Sequence, residues 1–174
     1  MRLHLVGLVA LCLGLAPRAV TAGGPIASGT TVSGTVGGPS FLESWTFTGT
    51  AGNRIIVTAI TTSGALNPSI VLKQPGGGAV EANTNSGDRL DWQLTATGTY
   101  TIEMQDYGLN DAGNYAIAFL NVSAGPLTGG GDTDGGPIVS ADITSGTMSG
   151  PGDVDAFTFT GSLNQRVIID AVAT

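Results

Sequence analysis

The stretch GTYTIEMQDYGLNDAGNYAIAFL, residues 98–120, decides the fold. Tyr100, Ile102 and Met104 alternate with Thr99, Thr101 and Glu103. After a polar break, Tyr115, Ile117 and Phe119 alternate with Ala116 and Ala118. Alternation with a period of two belongs to a strand with one face on a core and the other toward water. The break from Asn110 to Asn114 reads as the close of a hairpin, with Gly113 free to take a positive φ.

The same signature extends outward. Leu90, Trp92 and Leu94 alternate with Arg89, Asp91 and Gln93. Ile55-Ile56-Val57 is apolar on both faces, as in a central sandwich strand. Phe41, Trp45 and Phe47 share a face in the strand before it. Gly49 to Gly52, Pro75-Gly76-Gly77-Gly78 and Ala96-Thr97-Gly98 supply turns. About eight short strands within about 100 residues predict an all-β fold, an antiparallel and jelly-roll-like β-sandwich.

Composition narrows the function classes. The chain has 174 residues, 28 of them Gly, with 11% charged residues and a formal net charge of −7. Glycine follows no collagen period, and 41% hydrophobic residues can build a core. An acidic balance speaks against nucleic acid, whose phosphates need clustered Lys and Arg.

Residues 1–22 read as a secretory signal. Arg2 gives the positive start and Leu5 to Leu15 the apolar run, which is too short to span a bilayer. Pro17 breaks the run, and Val20-Thr21-Ala22 places small residues at a cut after Ala22. Arg18 is an unusual charge so near the cut. His4 is the only histidine and Cys12 the only cysteine, and Leu11 before Cys12 argues against a lipid anchor. The mature chain then has no His and no Cys, which removes Ser-His-Asp and Cys-His catalysis, His or Cys zinc sites, and disulfides. Its cations are Arg54, Lys73, Arg89 and Arg166. No later stretch is apolar enough to cross a membrane.

A repeat organises the chain. Residues 24–62, GPIASGTTVSGTVGGPSFLESWTFTGTAGNRIIVTAITT, align without a gap on residues 136–174, GPIVSADITSGTMSGPGDVDAFTFTGSLNQRVIIDAVAT. About 17 of about 39 positions are identical at a constant offset of 112. The expected organisation is a signal at 1–22, a complete sandwich at 23–122, a flexible Gly-rich linker at 123–135, and a second copy at 136–174. The second copy stops in mid-strand and reads as truncated. Phe157, Phe159, Val167 and Ile169 would lack an opposing sheet there, and the protein is expected to continue past Thr174.

The unit resembles the bacterial pre-peptidase C-terminal domain. The resemblance rests on Gly152-Asp153-Val154-Asp155-Ala156-Phe157-Thr158-Phe159 in the second copy. In the first copy it rests on Leu66-Asn67-Pro68-Ser69-Ile70-Val71-Leu72, Gln74-Pro75-Gly76-Gly77, Gly98-Thr99-Tyr100-Thr101-Ile102 and Gly113-Asn114-Tyr115. The first copy departs from the pattern, with Ser40-Phe41-Leu42-Glu43 in place of the acidic pair. The resemblance implies a non-catalytic accessory domain of a secreted or surface protein.

Candidate sites have ordinary alternatives. Asp132-Thr133-Asp134-Gly135 looks like half a calcium loop, but Gly136 and Ile143 stand where further ligands belong. Asp153 and Asp155 could hold calcium with a linker carboxylate, or keep a strand edge soluble. Asp88, Asp91, Glu103 and Asp106 evoke paired carboxylates for glycoside hydrolysis, although Asp91 and Glu103 fall on polar strand faces and read as solvated. The glycines 76–78 and 129–131 lack the Lys-Ser/Thr of a phosphate loop. Trp45 and Trp92 lie at apolar-face positions and read as core. Asn121-Val122-Ser123 is a formal glycosylation sequon. Arg54 and its counterpart Arg166 are expected to meet a carboxylate or a ring of carbonyls; the alternative is a solvated Arg whose stem covers Phe47 or Phe159.

The reading is a secreted or cell-surface module, not an enzyme, with no catalytic, cofactor or metal residues assigned. No cofactor is expected, and calcium is the one ion weighed at the acids. The expected partner is an extracellular polymer or protein, with no nucleic acid and no membrane span. The rivals are the N-terminal part of a secreted hydrolase with its catalytic domain beyond residue 174, and a surface protein built of tandem sandwiches.

Overall fold

The structure is a computed structural model and describes residues 23–38 and 41–173. The expected signal, with His4 and Cys12, lies outside them. Among the described residues there is no helix, and none is long and apolar enough to cross a membrane.

Nine strands occupy the first unit: β1 (Gly24–Pro25), β2 (Thr30–Val36), β3 (Leu42–Gly49), β4 (Arg54–Gly64), β5 (Pro68–Lys73), β6 (Val80–Asn83), β7 (Arg89–Gln93), β8 (Gly98–Asp106) and β9 (Gly113–Asn121). They form two sheets, ordered β1-β3-β8-β5-β6 and β2-β9-β4-β7. Apart from the short parallel β1–β3 pair, these ladders are antiparallel. Strands β2 to β9 therefore nest as a jelly roll: first with last, second with next to last, and so inward. Only β5 and β6 form a hairpin between sequence neighbours; the other connections from β2 to β9 cross between the sheets.

This corrects the local reading of residues 107–112. They do not close a hairpin, since β8 and β9 lie in different sheets. They form an arch, and the left-handed residue is Leu109 (φ 53°) rather than Gly113.

The core lies between the sheets. Ile55, Val57, Ile70, Leu72, Tyr100, Ile102, Tyr115 and Ile117 are fully buried. Phe47 stacks on Tyr100 with centroids 5.4 Å apart and meets Phe119 at 4.4 Å, a geometry aromatic quadrupoles favour. The other face of β9 is buried too: Ala116, Ala118 and Leu120 are at most 4% exposed. Part of the cover comes from later in the chain, since Gly152 sits against Ile60 and Ala116. The expectation that Ala116 and Ala118 face water is thereby overturned.

Beyond the first unit the chain follows its surface. The Ser28 hydroxyl donates to the Pro126 carbonyl, and Gly29 lies against the Thr128 backbone. Two short strands then appear, β10 (Gly135–Pro137) and β11 (Ala156–Thr158), paired in parallel.

Candidate functional site

Among the described residues, two carboxylates are buried in the first unit, those of Glu43 and Asp106. Glu43 shares the inward side of β3 with Trp45 and Phe47, and only 8% of it is exposed. A carboxylate there requires partners, because burying an unpaired charge is costly. The Tyr115 hydroxyl donates to Glu43 Oε2 at 2.5 Å, and the Thr35 backbone N–H donates to the same oxygen at 3.0 Å. The indole N–H of Trp45 donates to the Tyr115 oxygen at 2.7 Å. Burial, and then the bond to Glu43, push the Tyr115 phenol well above its ordinary range. It therefore remains a neutral donor. Gly34 crosses directly over this group, where a Cβ would collide with Glu43 Oε2 and the Tyr115 ring.

Asp106 ends β8 and is 1% exposed. It accepts backbone N–H bonds from Asn67, Gly108, Asn110 and Asp111 at 2.9–3.2 Å. Burial alone would raise its pKa, but the four donors outweigh it and hold the carboxyl below its usual range. This carboxylate shapes the arch from one sheet to the other.

The acids singled out for paired-carboxylate chemistry are divided: Asp88 and Asp91 border one open cleft, while Glu103 and Asp106 lie on β8. Asp91 is held by Arg54 through a two-pronged contact, Nε to Oδ1 at 2.8 Å and Nη2 to Oδ2 at 3.0 Å. The Arg54 bond keeps the Asp91 carboxyl below its ordinary range despite the cost of burial. Glu103 faces Lys73 at 3.4 Å. Both acids were expected to be solvated, and both are paired because charged residues at cross-strand positions reach each other across a ladder.

Trp45 is core, as expected, at 7% exposure. Trp92 is not, at 38%. It has the parity of Leu90 and Leu94, but β7 is an edge strand, so the opposing sheet leaves the ring partly uncovered. Its indole N–H donates to Glu81 at 3.0 Å, which fixes the ring. It borders an open cleft of about 500 Å³ with Asn83, Thr84, Asp88 and Arg89.

In the later part of the chain, Asp132, Asp153 and Asp155 bring carboxylate oxygens within 4.8 Å of one another. Asp132 is thus the linker acid that joins Asp153 and Asp155, and Asp134 of the half loop is not in the group. Asp134 accepts the Thr147 N–H instead, at 2.7 Å. The Ser149 backbone N–H, with help from its hydroxyl, holds Asp153 low. Burial raises Asp155, and Asp132, Asp153 and Asp134 add to the rise. Three oxygen donors suit a hard cation or a shared proton.

Sequence reading missed Glu43. The signal was its parity with Trp45 and Phe47, which places a carboxylate on the core side.

The chain matches no known sequence family and no curated protein. Solved structures are similar. The pre-peptidase C-terminal domain of a Bacillus anthracis collagenase matches with 18% identity and a TM-score of 0.44, covering 56% of this chain and 93% of that one. PliG of Aeromonas hydrophila, a periplasmic inhibitor of g-type lysozyme, matches with 16% identity and a TM-score of 0.42, covering 56% and 96%. PliG of Salmonella Typhimurium matches with 15% identity and a TM-score of 0.42, covering 57% and 97%.

Proposed function

We propose that this chain is a non-catalytic accessory module of a secreted or cell-surface protein, arranged as a tandem repeat. The supporting observation is how its carboxylates are used. Glu43 is bound by Tyr115 and Thr35, Asp106 by four backbone donors, and Asp91 by Arg54. These three carboxylates are fastened into the fold rather than held free as acid or base. The test is an assay of the purified chain on casein, esters and glycosides, with no turnover expected. Turnover that survives repurification and is lost in Asp91→Asn would overturn the reading.

Attachment to an extracellular polymer, rather than spacing alone, is favoured by Trp92. A fixed, half-exposed indole beside hydrogen-bonding groups in a cleft suits the apolar face and hydroxyls of a sugar ring. Pull-down on insoluble polysaccharides, comparing the native chain with Trp92→Ala, tests this. Retention lost in the variant supports attachment through the cleft. Equal retention, or none in either protein, counts against it.

A further inference from the structure

Within the nested order of the first unit, β2, β3 and β4 never pair with one another. β2 pairs with β9, β3 with β8, and β4 with β9 and β7. Among the described residues of 24–64, the one pairing is β1 with β3, through Gly24 with Trp45 and Pro25 with Thr46. Shifted by 112 residues, that same pairing occurs in β10 and β11: Gly136 with Phe157 and Pro137 with Thr158. The Ile26 N–H to Thr46 carbonyl bond, 2.9 Å, recurs as Ile138 to Thr158, 2.8 Å. Among the described residues, the rest of the later segment has no ladder. Val167 and Ile169 are 45% and 68% exposed, whereas their counterparts Ile55 and Val57 are buried.

The glycine-to-carboxylate contact repeats as well. Asp155 is the counterpart of Glu43, and Gly146 of Gly34. A Cβ at Gly146 would meet Asp155 Oδ2 at 2.6 Å, as one at Gly34 would meet the Glu43 carboxylate. Glu43 has its tyrosine. The Oδ1 of Asp155 is buried and has no hydrogen-bond partner. Phe157 replaces Trp45, so an incoming hydroxyl would find no indole donor and would turn to Asp155 alone.

We infer that residues 140–173 form an acceptor for a β-arch of the β8–β9 pattern, carried downstream on the same polypeptide, with a tyrosine hydroxyl of that arch donating to Asp155 over Gly146. One strand would lie beside Ala156–Thr158. The other would lie between residues 142–148 and 166–173 and cover Val167 and Ile169. A second molecule cannot lend its own arch, because that arch already fills its own sandwich. A covalent continuation also holds the arch at high effective concentration.

The chain is extended after Thr174 with a copy of residues 63–122, and amide exchange is followed over residues 156–172. Exchange there is expected to slow by on the order of 10²-fold or more, toward that of residues 54–60. Asp155→Asn should leave exchange unchanged in the 174-residue chain and remove most of the gained protection in the extended one. Tyr→Phe at the copied Tyr115 should do the same. Unchanged exchange on extension overturns the inference, as does an extended chain indifferent to both substitutions. Equal protection of the 174-residue chain by calcium alone would assign Asp155 to a cation. Equal protection by an unlinked peptide of residues 98–121 would overturn the same-chain source.

Discussion

Val57 and Ile169 occupy the same place in two stretches 112 residues apart, and one is buried while the other is 68% exposed. The surrounding sequences share TFTG, the arginine and the apolar run. The difference lies in distant partners. Val57 sits on β4, which is flanked by β9 and β7; residues 166–173 have no such neighbours. A jelly roll pairs its first strand with its last, so the local pattern names the face to be buried but cannot bury it. Folds of this kind gather most of their stability from contacts distant in sequence.

The sharpest way to break this comparison is amide exchange on the 174-residue chain. Residues 54–60 should exchange only through global opening, and residues 160–172 nearly as fast as an unfolded peptide. For a domain of ordinary stability the rates should differ by about 10³-fold or more. Comparable protection in the two stretches of a monomer would show that the later one needs no partner strands.

Next in size is Asp106→Ala. It removes the buried acceptor shared by four backbone N–H groups at the arch and should cost about 3 kcal/mol in urea unfolding of the first unit. Asp155→Ala should leave that same transition unmoved, because no ladder joins β10 and β11 to the two sheets of the first unit. The pH dependence has a definite sign. The folded pKa of Asp106 lies below its unfolded value of about 4, so its stabilisation is present above that value and is lost as pH falls through the folded pKa. Asp106→Ala should flatten the acid limb of the stability curve. An unaltered limb would remove Asp106 from this role.

Tyr115→Phe follows, at about 2 kcal/mol, since it leaves the Glu43 carboxylate with only the Thr35 N–H and the Trp45 indole N–H with no acceptor in the core. The phenol's raised pKa means that this stabilisation is intact below about pH 10, the ordinary tyrosine value, and declines above it. A variant as stable as the native chain would show that water satisfies Glu43 equally well.

Much of this architecture was legible in the sequence. Alternation found the strands carrying Trp45, Leu90, Tyr100 and Tyr115, an apolar run found that of Ile55, and Gly and Pro found their boundaries. Sheet membership was not legible, because a turn that closes a hairpin and a loop that arches between sheets use the same residues. The arch at 107–112 is set by Asp106, whose four donors are recognisable only once the backbone is in place. Parity placed Trp92 with Leu90 and Leu94, yet parity says nothing of position at a sheet edge. Glu43 was read as a departure from an acidic motif, when it is the counterpart of Asp155 turned toward the core.

The smallest expected effect concerns the arginine kept in both stretches. Arg54 grips Asp91 with two prongs, but its side chain is 62% exposed. An exposed pair gains little, because water screens the attraction and two long side chains must be ordered to make it. Arg54→Lys keeps the charge and loses the fork, so the urea midpoint should stay where it is. Arg166→Lys should be equally silent for a different reason. The partner of Arg54 comes from β7, and residues 136–173 contain no counterpart of β7. If Arg54→Lys lowers the midpoint while Arg166→Lys does not, the fork contributes and pairing explains the first arginine. The second arginine would then be waiting for the same absent strands as Asp155, and the extended chain should become sensitive to Arg166→Lys. If both remain silent in the extended chain too, the arginine is kept for its solvated stem and head, and pairing with Asp91 is a consequence of register rather than its cause.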